Sequence, residues 1–215
     1  MVRLKRYFIV RSLQWLILIS PVWLVVASTK ISDDVKADFQ QMLTDVRSLP
    51  ELEKLERVNQ YFNESVRFIS DQRHWGVEDY WATPYESLQR RAGDCEDFSL
   101  AKYFSLIKAG VDPEKLRITY VKAIELKQAH MVLAYYSKPS AVPLVLDNLI
   151  PQIKPAPERR DLVPVYSFNG NGFWLNKMSG KTVRLGGASR VSMWAKFLDK
   201  MAEYDPMGLL EAPQP

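Results

Sequence analysis

Residues of the types that most often perform covalent chemistry are scarce in this sequence. Its 215 residues include one cysteine, Cys95, and two histidines, His74 and His130. A single cysteine cannot form an internal disulfide, so Cys95 is either a small buried apolar side chain or a free thiol kept for chemistry. A site that combines a thiol with an imidazole therefore has one candidate sulfur and two candidate rings.

The sequence also lacks a lasting excess of one charge. It contains 29 basic and 25 acidic side chains, but its first 28 residues contain four of the basic ones and no acidic one. The remainder therefore carries 25 of each sign. Because the basic character belongs to the N-terminus alone, it gives no reason to expect a nucleic-acid partner.

No apolar run is as long as a typical membrane span, which needs about twenty apolar residues. The stretch Leu13–Ala27 is shorter and is interrupted by Pro21, and it follows four basic residues: Arg3, Lys5, Arg6 and Arg11. A basic start followed by a short apolar stretch predicts a secretory leader over residues 1–28 and export from the cytoplasm. The alternative is an uncleaved N-terminal membrane tether, because no clean Ala-x-Ala cleavage pattern follows the apolar stretch.

Hydrophobic periodicity predicts one α+β domain over residues 29–205 and a flexible tail over 206–215. Apolar residues at helical spacing predict four helices: Ile31–Leu49, Leu52–Phe68, Cys95–Lys108 and Val191–Tyr204. Alternation and β-forming residues predict five strands: Leu116–Ile124, Ala129–Tyr136, Pro143–Leu149, Val165–Leu175 and Lys181–Leu185. We expect an ordered aromatic-rich loop over Asp71–Tyr85 and another loop over Ile150–Pro164. Because the helices precede the strands, we predict helices packed on an antiparallel sheet.

Three residues stand at the positions that a nucleophilic site requires. Cys95 begins the third predicted helix, His130 lies in the second predicted strand, and Asp147 ends the third. A helix N-terminus and a neighbouring imidazolium both favour a thiolate, and an imidazole can accept a proton and return it. A carboxylate would orient the ring. The sequence thus predicts a Cys-His-Asp triad on a papain-like or transglutaminase-like fold, with the Cys95 amide as one oxyanion donor.

Three acidic residues surround the predicted nucleophile: Asp94, Glu96 and Asp97. Their charge would raise the pKa of the thiol. In one interpretation they are structural, with Asp94 as the helix N-cap and the other two as first-turn acids that the helix dipole favours. In the other they bind a calcium ion, which cancels their charge. A calcium shell of about six to eight oxygens would need further ligands from the backbone, from water or from another loop.

Several segments of the sequence together resemble the bacterial transglutaminase-like cysteine proteinases, and the LapG-type periplasmic proteases in particular. The similar segments are Trp81–Leu88, Gly93–Phe98, Ala101–Phe104, Ala129–Leu133, Leu146–Leu149 and Pro164–Asn169. The resemblance covers most of the chain between residues 30 and 200. It implies a papain-like fold, a triad of Cys95, His130 and Asp147, and calcium dependence with Asp94, Glu96 and Asp97 as ligands.

The resemblance also implies a substrate and a regulator. The substrate of the family is a large surface adhesin of biofilm-forming bacteria, cut near its N-terminus at a small-residue site that contains paired alanines. An inner-membrane receptor that senses cyclic-di-GMP sequesters the protease in the periplasm. The aromatic loop over Trp75–Trp81 is a candidate docking surface for that receptor, or else ordinary packing.

Two other functions fit the same residues. A transglutaminase-type acyltransferase would form the same acyl-enzyme and transfer it to an amine. A non-catalytic module would keep the fold and use it only to dock on a receptor. We therefore predict a calcium-dependent periplasmic cysteine endopeptidase, with these two functions as alternatives.

Overall fold

The computed structural model describes residues 22–176 and 182–210, with side chains from residue 34 onward. Within these residues the helices are α1 (Val22–Arg47), α2 (Glu51–Ser65), α3 (Asp71–His74), α4 (Pro84–Arg90), α5 (Cys95–Lys108) and α6 (Ser192–Glu203). The strands are β1 (Arg67–Phe68), β2 (Ala92–Gly93), β3 (Leu116–Ala123), β4 (Gln128–Tyr135), β5 (Leu144–Leu146), β6 (Lys154–Pro155), β7 (Leu162–Asn169), β8 (Gly172–Asn176) and β9 (Thr182–Gly186). Short 3₁₀ turns cover Pro113–Lys115, Ala156–Glu158 and Ala188–Arg190.

The predicted leader lies outside the described residues except for residues 22–28, which form the beginning of α1. Helix α1 therefore starts earlier than the predicted Ile31. None of the helices described for this chain combines the length and apolar character needed to cross a membrane.

A seven-stranded antiparallel sheet forms one layer of the molecule, and helices cover one of its faces. Its strand order is β6-β5-β4-β3-β7-β8-β9, while β1 and β2 form a separate parallel pair. Helix α5 packs against β4 and β3, and α2 packs on the other side of α5. The predicted arrangement of helices on an antiparallel sheet is confirmed.

Helix α5 lies at the centre of the core: buried residues occupy nearly its whole circumference, and polar ones such as Ser105 and Lys102 are among them. Its Phe104 stacks on Trp194 of α6 at 5.9 Å between ring centroids. Trp81 belongs to the same aromatic cluster: it is 6% exposed and stacks on Phe168 of β7 at 6.0 Å. The hypothesis that this end of the aromatic loop is an exposed docking surface is therefore wrong for Trp81, which packs in the core.

The structure divides the predicted strand Val165–Leu175 into the hairpin strands β7 and β8. The side-chain oxygen Oδ1 of Asn169 accepts hydrogen bonds from the amides of Asn171 (2.9 Å) and Gly172 (3.0 Å), which closes the turn. Gly172 is required there, because a Cβ would lie 2.5 Å from the ring of Trp174. The predicted loops are also partly regular, since α3 lies in the first and β6 in the second.

The C-terminal segment is ordered further than predicted. Met207 and Leu209 are each 3% exposed and belong to the main apolar cluster. The prediction of a flexible tail from residue 206 is therefore wrong for residues 206–210, because burying these two side chains compensates for ordering the segment. Residues 211–215 lie outside the described part.

Strand register brings the two predicted partners of the nucleophile to one region of the sheet. His130 of β4 is paired with Val121 of β3, and Leu133 of β4 is paired with Leu146 of β5. Asp147 directly follows Leu146, so it lies diagonally across from His130 on the same face. Residues 17 positions apart in the sequence thus become neighbours.

Candidate active site

The start of α5 is fixed by the buried carboxylate of Asp97. Its Oδ2 accepts a hydrogen bond from the amide of Asp94 (3.1 Å), and its Oδ1 accepts one from the amide of Ala82 (2.7 Å). The bond with Asp94 belongs to a capping box, and the bond with Ala82 connects the helix to the segment before α4. Gly93 allows it, because a Cβ at residue 93 would lie 2.7 Å from Oδ2 of Asp97. The turn thereby presents Cys95 as the first residue of the helix.

The thiol of Cys95 is partly buried against β4. It donates a hydrogen bond to Oε2 of Glu96 at 3.0 Å, and the main-chain amide of Met131 interacts with the sulfur. Burial raises the pKa of Cys95 well above its ordinary value, and the charges of Glu96 and Asp94 raise it further. In this structure the thiol's hydrogen bond goes to Glu96 rather than to His130. Because Met131 directly follows His130, the sulfur nevertheless lies beside the strand that carries the histidine.

His130 and Asp147 form a buried hydrogen-bonded pair, with 2.8 Å between Nε2 of the ring and Oδ1 of the carboxylate. The same oxygen accepts the amide of Leu149 at 3.1 Å, and Oδ2 accepts Nη2 of Arg159 at 2.6 Å. Burial alone would raise the pKa of Asp147. The bonds and charges of His130, Leu149 and Arg159 outweigh it and lower that pKa to about 2. Asp147 is thus a stable anion that holds the ring through Nε2.

An acidic cluster lies beside Cys95 and draws on more of the chain than the sequence predicted. Carboxylate oxygens of Asp71 and Asp79 lie close enough to those of the predicted ligands to share one ion. Two sets of three oxygens each lie within 4.8 Å of one another: one from Asp71, Asp94 and Asp97, the other from Asp71, Asp79 and Glu96. Burial and the neighbouring carboxylates raise the pKa of Asp71 to about 6 and that of Asp94 to about 10. Their mutual repulsion is what a bound cation would relieve.

Two oxygens of the cluster lack donors. Within the described part of the chain, Oδ1 of Asp71 and Oδ1 of Asp94 are buried and have no hydrogen-bond partner. Asp71 is only 2% exposed and uses its Oδ2 to accept the amide of Tyr80. Hard oxygen donors on α3, on the following loop and at the start of α5 fit the ligand preference of calcium, and they provide the further loop that a full shell requires.

The indole of Trp81, in the aromatic loop, is not free to donate to an oxyanion, because it hydrogen-bonds to the carboxylate of Asp79. The Cys95 amide stays a predicted oxyanion donor, and an amide at the first position of a helix has no partner within the helix. Trp75 is half-buried and packs against Tyr80, with 4.4 Å between the ring centroids and 37° between the ring planes. The loop therefore supports the acidic cluster through its packing.

Sequence reasoning missed Asp71, Asp79 and Arg159. Asp71 and Asp79 lie in the aromatic-rich loop, and the acidic residues of this loop were the signal of a second segment that could provide calcium ligands. No local pattern marks Arg159, which lies in a charged and proline-rich stretch. Its role depends on a contact across the sheet that no spacing in the sequence encodes.

Comparison with known proteins fits this geometry. A family model described as bacterial transglutaminase-like cysteine proteinase matches residues 28–161, a range that contains Cys95, His130 and Asp147. This chain belongs to the bacterial transglutaminase-like cysteine proteinases. The predicted family is thereby confirmed. Among curated proteins no match was found.

Solved structures of another bacterial transglutaminase-like cysteine proteinase have the same fold. The chain is similar to Legionella pneumophila LapG in its EGTA-treated form, with 35% identity, a TM-score of 0.69, and coverage of 81% of this chain and 97% of that chain. For the calcium-bound form of LapG the identity and TM-score are the same, and 98% of that chain is covered. The predicted transglutaminase-like protease fold is confirmed, while the residue-level triad stays a prediction.

Proposed function

We propose that this chain is a calcium-dependent cysteine endopeptidase of the periplasm in which Cys95, His130 and Asp147 form the catalytic triad. The observation that carries the proposal is the buried His130–Asp147 pair, with 2.8 Å between Nε2 and Oδ1. His130 lies on β4, and the amide of the next residue, Met131, interacts with the only thiol of the chain. Family membership supports the same reaction class.

In the proposed reaction each residue of the triad performs one part of peptide hydrolysis. His130 bonds to Asp147 through Nε2, so Nδ1 is the ring nitrogen that accepts the thiol proton. The Cys95 sulfur then attacks the scissile carbonyl carbon, and its own amide stabilises the oxyanion. The ring gives the proton to the leaving amine as the scissile C–N bond breaks. The acyl group then remains on the Cys95 sulfur as a thioester. A water, deprotonated by the same nitrogen, hydrolyses the thioester, and the ring gives the proton back to the sulfur.

The acidic cluster is the proposed calcium site. Calcium-bound LapG supports a cation in this family. The predicted ligands are Asp94, Glu96 and Asp97, and the structure adds the carboxylates of Asp71 and Asp79. When bound, calcium would supply positive charge that offsets carboxylate repulsion beside the thiol. Asp97 already accepts two amide bonds, so it also holds the turn on which the other ligands depend.

For substrate and regulation we propose what the resemblance implies. The substrate is a large surface adhesin, cut near its N-terminus at a site that contains paired alanines, and its release disperses biofilm. An inner-membrane receptor that senses cyclic-di-GMP in the cytoplasm sequesters the protease through a periplasmic domain. An uncleaved N-terminal tether would also leave the chain able to meet such a receptor.

The test is cleavage of an adhesin N-terminal segment by the purified chain in the presence of calcium. We expect two fragments, with a new N-terminus at the small-residue site identified by mass spectrometry. Cys95→Ala should abolish cleavage while keeping the far-ultraviolet circular dichroism of the wild type. Cleavage that survives Cys95→Ala would refute the assignment of the nucleophile.

The same assay separates the alternative functions. A fluorescent primary amine added to the reaction would become attached to the protein substrate, with no new N-terminus, if the chain were an acyltransferase. A chain that binds a receptor domain but neither cuts nor labels the adhesin would be a docking module. We expect hydrolysis to dominate even with the amine present.

A further inference from the structure

We propose that Arg159 is a positioning residue of the reaction, which acts by fixing the orientation of the Asp147 carboxylate and stabilising its charge. The inference rests on the proposed protease function, in which Asp147 orients His130. Arg159 touches neither the thiol nor the ring. It therefore acts on the reaction only through Asp147.

Arg159 is a buried cation that two carboxylates hold in place, through its Nη2 and Nε, while its Nη1 has no hydrogen-bond partner among the described residues. It is 2% exposed, and its Nη2 donates to Oδ2 of Asp147 at 2.6 Å and to Oδ2 of Asp161 at 2.8 Å. Its Nε donates to the other oxygen of Asp161 at 3.0 Å. Asp161 thus binds the guanidinium through both of its oxygens and fixes its plane, and the fixed plane points one N–H at Asp147.

The two oxygens of Asp147 have separate partners. Oδ1 accepts from His130 and from the Leu149 amide, and Oδ2 accepts from Arg159. A carboxylate held at one oxygen alone can rotate about its Cβ–Cγ bond, and the buried oxygen Oδ2 would then have no donor. The bond from Arg159 removes both possibilities, so Oδ1 stays directed at the ring.

Other contacts already hold the main chain around Asp147. Asn63 of α2 donates its side-chain amide to the carbonyl of Asp147 at 2.8 Å, and Asn59 donates to the carbonyl of Pro151 at 2.7 Å. Helix α2 therefore clamps both ends of the segment that follows β5. What Arg159 adds is specific to the carboxylate, namely its rotation and its charge.

The charged groups that face this carboxylate come from three elements. His130 approaches from β4, and Arg159 with Asp161 approaches from the segment between the turn Ala156–Glu158 and β7. Lys102 of α5 exerts a longer-range positive potential and bonds to Asn63 at 2.8 Å. Arg159 is thus the only cation among the described groups that donates directly to Oδ2 of Asp147.

The experiment compares wild type, Arg159→Met, Arg159→Lys and Asn59→Ala in calcium, with an internally quenched peptide that contains paired alanines. We expect Arg159→Met to lower kcat at least about tenfold with KM unchanged, and to move the acidic limb of kcat/KM upward by about one pH unit, because the carboxylate has lost its cation. Arg159→Lys keeps the positive charge but not the two-pronged donor geometry of the guanidinium, so its kcat should fall less than that of Arg159→Met. Asn59→Ala is the matched control: it should lower the melting temperature without moving the pH profile.

A folded Arg159→Met variant with the kcat and acidic limb of wild type would overturn the inference. If Arg159→Met gives no cooperative melting transition, Arg159→Lys decides on the same criteria. A wild type that leaves the peptide intact would count against the proposed function, and a readout without substrate then decides the inference.

With only two histidines in the chain, ¹⁵N-histidine NMR resolves His130, assigned by comparison with His74→Gln. A slowly exchanging Nε2–H signal that is lost in Arg159→Met supports the inference, and an unchanged signal overturns it.

Discussion

At the scale of single residues, the geometry around Cys95 depends on a carboxylate outside the proposed triad, that of Asp97. The carboxylate of Asp97 accepts hydrogen bonds from the amides of Asp94 and Ala82. It lies so close to residue 93 that a side chain at that position would clash with it. Because Gly93 leaves that space, the helix can begin with Cys95 facing β4. The glycine of the motif is therefore explained by close packing against Asp97.

Gly93→Ala tests this explanation. Its Cβ would lie 2.7 Å from Oδ2 and 2.9 Å from Cβ of Asp97, so the capping carboxylate must move. We expect a loss of about 1–3 kcal/mol in the free energy of unfolding, measured by urea denaturation. Gly187→Ala is the control, since its nearest neighbour would be 3.9 Å away, and it should be close to neutral. Equal stability of the two variants would contradict the packing argument.

Lys102 gives a second prediction at this scale, through the dependence of stability on pH. Its burial lowers its pKa from 10.5 to about 7, although the nearby charge of Asp147 opposes the shift. Between these two values Lys102 binds more protons in the unfolded chain than in the folded one, so its contribution to stability should rise as the pH is raised. We expect a gain on the order of 2 kcal/mol between pH 7 and pH 9 from this residue.

Comparison with Lys102→Met isolates that contribution. The variant should lose the rise between pH 7 and pH 9 and should be more stable than wild type at pH 7, in urea titrations at each pH. Lys196→Met, at an exposed position of α6, is the control and should keep the wild-type slope. A Lys102→Met variant whose stability depends on pH as that of wild type does would show that the buried amine remains charged, because the raised pKa of Asp94 acts equally in both chains.

The sequence predicted those residues whose role follows from their type and their place on an element. Cys95 at a helix start, His130 in a strand and Asp147 at a strand end could each be identified locally, and register then joined the last two. Asp71, Asp79 and Arg159 could not be identified in this way. They reach their partners across the fold, and single-sequence patterns carry no information on such contacts.

At the scale of elements, strong periodicity predicted α2, α5, α6, β3 and β4 to within a few residues. Errors occurred where side chains override periodicity. Asn169 closes a turn inside what reads as one continuous strand, and α3 is too short to show a helical period. The segment after α6 looked flexible because it contains prolines, yet two apolar side chains anchor it.

Truncation tests the role of this C-terminal segment. A chain ending at Glu203 loses the buried side chains of Met207 and Leu209, which should cost about 2–5 kcal/mol and lower the melting temperature by several degrees. A chain that ends at Leu210 retains both and should melt like the full chain in differential scanning calorimetry. If both truncations melt alike, the packing of this segment adds nothing to stability.

At the scale of the whole molecule, the acidic cluster joins three separate parts of the chain, so a cation bound there should stabilise the entire fold. We expect calcium to raise the melting temperature relative to EGTA by several degrees, equivalent to about 3 kcal/mol at one hundred times the dissociation constant. Magnesium should raise it less, because it demands tighter octahedral geometry. The measurement is differential scanning fluorimetry.

Two variants test whether the acidic cluster is the source of the calcium-induced rise in melting temperature. Asp71→Asn should reduce the calcium-induced shift, because it removes one carboxylate charge from the cluster. Asp199→Asn, on the exposed side of α6, should keep the whole shift. An equal shift in both variants would remove Asp71 from the ligand set.

The division of the proposed triad between a helix and a sheet has a consequence for the growing polypeptide. The sulfur comes from α5, while the imidazole and carboxylate come from β4 and the end of β5, so no contiguous peptide holds all three groups together. Hydrolytic power is then acquired only on completion of the tertiary structure. An unfolded or nascent chain therefore lacks the proposed hydrolytic activity.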